Sequence, residues 1–152
     1  MKALILAAAL TCAAATSSAW ADTPDQLFDN NCAICHQVGG KGVPGQFPRL
    51  AGRVSVIAAS PEGRDFLATL VLNGMSGTVT VDGQKIVGVM PDFSAFSDDD
   101  LSTILTYVAG LNGGHDAPFA PGDLKAARAK PQMAPTDMAA LRNKLQAAKV
   151  IP

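Results

Sequence analysis

Two cysteines two residues apart with a histidine directly after the second, Cys32-Ala33-Ile34-Cys35-His36, constrain this chain more than any other feature in it. Covalent haem attachment requires that spacing: each thiol adds to one vinyl group, and the adjoining histidine supplies an imidazole nitrogen to the iron. A chain tied to a flat apolar cofactor at three points must wrap around it. Two other chemistries use paired cysteines. A dithiol redox centre would open a helix within an alternating strand and helix pattern, and a structural zinc site would need a second pair of ligands. Neither context accompanies Cys32 and Cys35. The one further histidine, His115, has no ligand-type neighbour at metal-site spacing, and the third cysteine, Cys12, falls in the leader described next.

Residues 1–21 begin with Lys2, run through an apolar stretch from Ala3 to Ala15 and end in Ala19-Trp20-Ala21, the small-x-small form of a secretory cleavage site. Cleavage is expected before Asp22, giving a periplasmic protein of 131 residues with no membrane span, because the apolar run is too short to cross a bilayer. Cys12, preceded by Leu10-Thr11, is a poor lipidation site. Cys32 and Cys35 are then the only cysteines of the mature chain, and haem takes the place of a disulfide as its covalent staple.

Charge divides the mature chain. Residues 22–116 carry eleven acidic and five basic groups, a balance of minus six, whereas residues 117–152 carry six basic and two acidic groups, a balance of plus four. An acidic haem-binding domain at 22–116 with a basic, helical extension at 117–152 is therefore expected. Nucleic acid is excluded as a partner for an exported, net acidic chain.

The haem region has a mainly α outline. Thr23-Pro24-Asp25-Gln26 combines a cap, proline at the first helical position and glutamine closing a capping box, so a helix should carry Leu27 and Phe28 towards the cysteines. Gly39, Gly40, Gly42, Pro44, Gly45 and Pro48 leave only a loop after His36. Ser60-Pro61-Glu62 opens a second helix with Phe66, Leu67, Leu70 and Val71 on its apolar face, ended by Asn73-Gly74. A small hairpin is expected between Thr78 and Val89, turning at Asp82-Gly83. Ser97 and the acids Asp98 to Asp100 cap a third helix, whose buried stripe is Leu101, Ile104, Leu105 and Val108. Asp98 to Asp100 are better explained by that cap than as acid-base groups, and no catalytic constellation is evident.

The sixth iron ligand falls to His115 or a methionine. Met90 is the first choice: Gly88-Val89-Met90-Pro91 is expected to be irregular backbone free to turn a thioether inward, with proline limiting its motion. Met75 is the competitor, with plain packing as its ordinary role. Met133 and Met138, in the extension, are expected at the surface or on a helix face.

On these motifs the chain resembles the class I cytochromes c over about Thr23 to Gly113, especially small bacterial periplasmic ones that serve dehydrogenases. The resemblance implies a cytochrome c fold: three core helices around one covalently attached haem c. It implies that Pro48, a dozen residues after His36, offers its carbonyl to the imidazole N–H, that Phe28 and Tyr107 form an aromatic pair between first and last helices, and that Leu50 packs on haem. Arg49 or Arg53 is a candidate partner for a propionate, and a solvated arginine is the equal alternative.

Pro121 to Lys130 and Thr136 to Lys149 are expected to be helices of the extension, with Thr136 as a cap. They either fold back on the acidic domain by charge complementarity or bind a partner. With His36 and Met90 as axial ligands the iron has no open position, which makes the protein an electron carrier and not an enzyme. The expected donor is a periplasmic dehydrogenase and the acceptor an oxidase or another cytochrome, the protein being either a free carrier or a held subunit. The alternative is a ligand-binding or weakly peroxidatic haem protein in which Met90 is absent from the iron or labile.

Overall fold

A computed structural model describes residues 22–114 and 118–152. The expected leader and His115 lie outside them.

Among the described residues, seven helices and one hairpin follow in the order α1 Pro24–Asn31, α2 Ala33–His36, α3 Val54–Ala58, α4 Pro61–Asn73, β1 Met75–Val81, β2 Gln84–Met90, α5 Asp98–Gly110, α6 Pro121–Arg128 and α7 Pro135–Ala147. The helix starts follow local chemistry. The Gln26 side chain accepts from the Thr23 N–H at 3.0 Å, Ser60 Oγ accepts from the Gly63 N–H at 3.0 Å, and Ser97 Oγ accepts from the Asp100 N–H at 3.0 Å. Each bond satisfies a backbone group that the first turn would otherwise leave unpaired. Thr136 is not a cap: Ala134 holds that position and Pro135 opens α7.

Helices α1 and α5 cross, with Phe28 fully buried and its ring centroid 5.6 Å from that of Tyr107. Phe66, Leu67, Leu72, Leu101, Ile104, Leu105 and Val108 complete the core between α4 and α5. The five-residue α3, not anticipated, adds Val54, Ile57 and Ala58. Its run of small and β-branched residues has no cap, so only packing makes it helical.

The hairpin is longer than expected. Strands β1 and β2 pair antiparallel from Met75↔Met90 to Val81↔Gln84, so Met90 ends a strand where irregular backbone was expected. Val79, Val81 and Ile86 share one face with Ala139 of α7. A two-stranded sheet leaves an edge that invites other chains. Here α7 covers it: Asn143 Nδ2 donates to the Thr78 carbonyl at 3.1 Å, and Arg142 and Gln146 donate to the Thr80 carbonyl at 3.0 and 3.3 Å.

Residues 118–152 lie on the remainder of the molecule, with α6 against α4 and α5 and α7 against β1 and α4. Charge pairing contributes in the expected sense through Arg128 to Asp98 at 2.7 Å and Lys130 to Asp65, but Arg64 to Asp123 runs the opposite way. All three pairs are partly exposed, and such pairs contribute about 0–1 kcal/mol each. Apolar burial dominates. Leu124 and Met138 are wholly inaccessible and Ile151 nearly so, at about 1.5–3 kcal/mol for each large side chain. Met138 is thus a core residue on the buried face of α7, a helix-face position and not a surface one, and Met133 is half-buried with its N–H held by Asn73 Oδ1 at 2.8 Å. A short methionine-containing segment rich in alanine gives no local sign of what will cover it.

Candidate functional site

The attachment motif occupies one helical turn. Cys32 ends α1 and begins α2, and its carbonyl accepts from the N–H groups of Cys35 and His36 at 3.2 and 2.9 Å. Residues three and four apart on a helix share a face, so Cys32, Cys35 and His36 line one side, and Ile34, 83% exposed, stands at its rim. Burial and then the neighbouring Cys35 push the Cys32 thiol up to about 11. It stays protonated at neutral pH, the reverse of the lowered thiol that a dithiol redox centre needs. Among the described residues no group of three or more His, Cys, Asp or Glu side chains is placed to hold a metal ion.

His36 is oriented from behind. Its Nδ1 donates to the Pro48 carbonyl at 2.9 Å, leaving Nε2 as the nitrogen available to a metal. Burial, partly offset by that hydrogen bond, lowers the imidazole pKa and keeps the ring neutral. The loop reaches Pro48 by a close backbone approach at Gly42, where φ is +66° and a Cβ would stand 2.6 Å from both the Phe47 oxygen and the Arg49 nitrogen.

Two adjoining cavities open from this turn, and both are lined by Cys32, His36, Pro48 and Met90. The outer one continues along Cys35, Phe47 and the hairpin residues Gly77, Val79, Ile86, Gly88 and Val89. The inner one runs between Leu50, Val54, Phe66, Leu67, Leu70 and Ile104 to a corner holding Arg49, Arg53 and Arg142. Together they form one apolar crevice with His36 on one wall and Met90 on another. Met75 lines neither cavity and packs among core and hairpin side chains.

Backbone contacts hold the Met90 segment. The Phe93 N–H donates to the Val71 carbonyl at 2.8 Å, and Gly74, beyond the end of α4, lets the chain pass so closely that a Cβ there would be 2.6 Å from the Met90 carbonyl oxygen. From the sequence, Gly74 is only a helix stop. Its contact with residue 90 depends on the hairpin register.

Arg49 and Arg53, expected to meet a propionate or solvent, both engage Asp82: Arg49 through two bonds of 3.0 and 3.1 Å, Arg53 at 3.5 Å. Asp82 is held below the usual carboxylate range by the Arg49 hydrogen bonds. Three elements of the site were not foreseen: Arg142, Gly74, and the hairpin as a wall of the crevice. Only alternation in Val79, Val81 and Ile86 hinted at the last.

The residues present fit covalently held haem: two thiols and a free imidazole nitrogen share one face, a slot lined by apolar side chains extends from them, and positive charge stands at its inner end. The cytochrome c family model matches residues 23–112, and the chain belongs to that family, whose members hold a covalently attached haem c and carry electrons. The chain is similar to cytochrome c-552 of Thermus thermophilus, 38% identical over 119 residues that cover 75% of this chain and 90% of the relative. A second cytochrome c-552 of the same species is also 38% identical over 119 residues, covering 75% of this chain and 80% of its own. Haem-based electron transfer is therefore the function at the level of the family.

Proposed function

We propose that His36 and Met90 are the axial ligands of the haem iron, that Cys32 and Cys35 hold the haem as thioethers, and that the protein is a diffusible periplasmic carrier. Its donor is a dehydrogenase and its acceptor an oxidase or another cytochrome. The observation that carries the ligand assignment is that Met90 lines both cavities of the crevice together with His36, whereas Met75 lines neither. Bound haem supplies a one-electron couple whose ferrous state thioether ligation favours.

The chain's own residues do the remainder. Pro48 fixes the imidazole, Leu50 and the α4 and α5 side chains exclude water from the inner crevice, and Ile34 and Val89 form an exposed apolar rim at its mouth, 83% and 72% accessible. An apolar rim on a domain of net negative charge suits docking by hydrophobic contact more than by charge steering. The buried faces of α6 and α7 are spent on their own molecule, which favours a free carrier over a subunit anchored by its tail. Among the described residues no helix is long and apolar enough to cross a membrane.

The test is the visible spectrum of the oxidised holoprotein and of Met90→Ala. The native protein should show the weak long-wavelength band of sulfur-to-iron coordination and the variant should lose it, gaining carbon monoxide binding when reduced. A native protein that lacks the band and binds carbon monoxide at neutral pH would overturn the carrier reading in favour of a ligand-binding haem protein. Co-purification of a large dehydrogenase subunit would overturn the free-carrier part alone.

A further inference from the structure

Helix α7 lies outside residues 23–112, the part of the chain that the family model covers, yet it sends a charged side chain into the haem crevice. Arg142 is 5% exposed and lines the inner cavity beside Arg53, itself 7% exposed, and Arg49. Its Nη2 donates to the Thr80 carbonyl at 3.0 Å and its Nη1 to Gln146 Oε1 at 3.0 Å. Both acceptors are neutral. Among the described residues no carboxylate lies within ion-pair distance of it; Asp82 pairs with Arg49 and Arg53, and Arg53 also donates to the Pro152 oxygen.

A buried guanidinium without a counter-charge is costly, and one facing a second guanidinium more so. Desolvation, then repulsion from Arg53, lowers Arg142 to about 10. Three guanidinium groups meet at this corner; Asp82 engages Arg49 and Arg53 and the Pro152 oxygen engages Arg53, and neither engages Arg142. Haem c carries two propionates. A propionate would give Arg142 the counter-charge it lacks, and the planar fork of arginine suits a carboxylate by two parallel hydrogen bonds.

We propose that Arg142, with Arg53, receives the haem propionates, so that the C-terminal extension completes the haem site as well as covering the sheet edge. The inference rests on haem occupying the crevice between His36 and Met90. The other charged or titratable groups facing Arg142 there are Arg49, Arg53 and, along the cavity, His36, with Asp82 behind the first two and the Pro152 oxygen on Arg53. Removing one buried positive charge beside the haem favours the ferric state. It also frees a propionate from a charge-assisted hydrogen bond.

The experiment uses full-length holoprotein with Arg142→Gln, Arg142→Lys and, as control, Gln146→Ala, which removes a neutral partner of Arg142 and keeps its charge. Resonance Raman spectroscopy reads the propionate-bending mode, and a redox titration at fixed pH reads the midpoint potential. In Arg142→Gln the propionate mode should shift and the potential should fall; Arg142→Lys should restore most of the potential but not the mode, because a point charge replaces a two-pronged donor. Gln146→Ala should change neither. The sulfur-to-iron band should persist in all three, so failure of Met90 ligation would be seen separately. An unchanged propionate mode in the Arg142 variants, with only a loss of thermal stability, would overturn the proposal and leave Arg142 as a structural tie to Thr80. Should Arg142→Gln fail to fold, the mode in Arg142→Lys decides: a shift supports the contact and an unchanged mode refutes it.

Discussion

Met138→Ala is expected to lower the unfolding free energy of the holoprotein by about 2–5 kcal/mol, the range for truncating a fully buried methionine or leucine when the cavity cannot collapse. Met138 has no accessible surface and belongs to the same core as Phe28, Leu101 and Leu124. Deleting residues 117–152 should do more, since it uncovers that core and also strips α7 from the Thr78 and Thr80 carbonyls of β1. The truncated protein is expected to lose cooperative thermal unfolding or to aggregate through the bared edge. Denaturant titration followed at the haem absorbance gives both results. Thr136→Ala, at an exposed position of the same helix, should stay within about 0.5 kcal/mol of the native protein. A truncated chain as stable as the full one would mean that α6 and α7 contribute no net burial.

Gly74→Ala is expected to loosen Met90 without touching it. Gly74 has φ +67° and ψ −173°, a region open essentially to glycine alone, and forcing another residue into such backbone costs about 1–3 kcal/mol. The new Cβ would also stand 2.6 Å from the Met90 carbonyl oxygen and 2.9 Å from the Asp92 nitrogen. Backbone on both sides cannot yield as a flexible side chain does, so the strain is relieved by displacing residues 90–92. The sulfur-to-iron band should weaken and the reduced variant should bind carbon monoxide. Gly83→Ala is the control: φ there is +74°, and a Cβ would meet nothing within 4 Å. It should cost stability while leaving the spectrum native. Equal spectral change in both variants would show that general destabilisation, and not pressure on Met90, is being read.

Helix starts and the attachment turn were legible because each is written within a few consecutive residues. Ser60 and Ser97 cap through groups three positions away, and Cys32, Cys35 and His36 share a face by helical spacing alone. The pairing of Phe28 with Tyr107 and of His36 with Pro48 followed from likeness to a family, and the geometry agrees with both. Other features resisted for a common reason. Helix α3 lacks a cap and is helical because Val54, Ile57 and Ala58 are covered. The place of Met90 at the end of β2 depends on a register running from Met75↔Met90, beyond the alternating residues that signalled the hairpin.

The sequence by itself determined the haem chemistry, the capped helices and the choice of Met90 over Met75 as the first candidate, since all three rest on neighbours in the chain. Tertiary structure alone decided that Met138 is core, that Gly74 must lack a side chain, and that Arg142 reaches the haem crevice 62 residues beyond the Thr80 carbonyl it binds. The physical reason is that burial and charge balance depend on which distant segments meet. An alanine-rich basic helix has the same composition whether solvent or a sheet edge covers it.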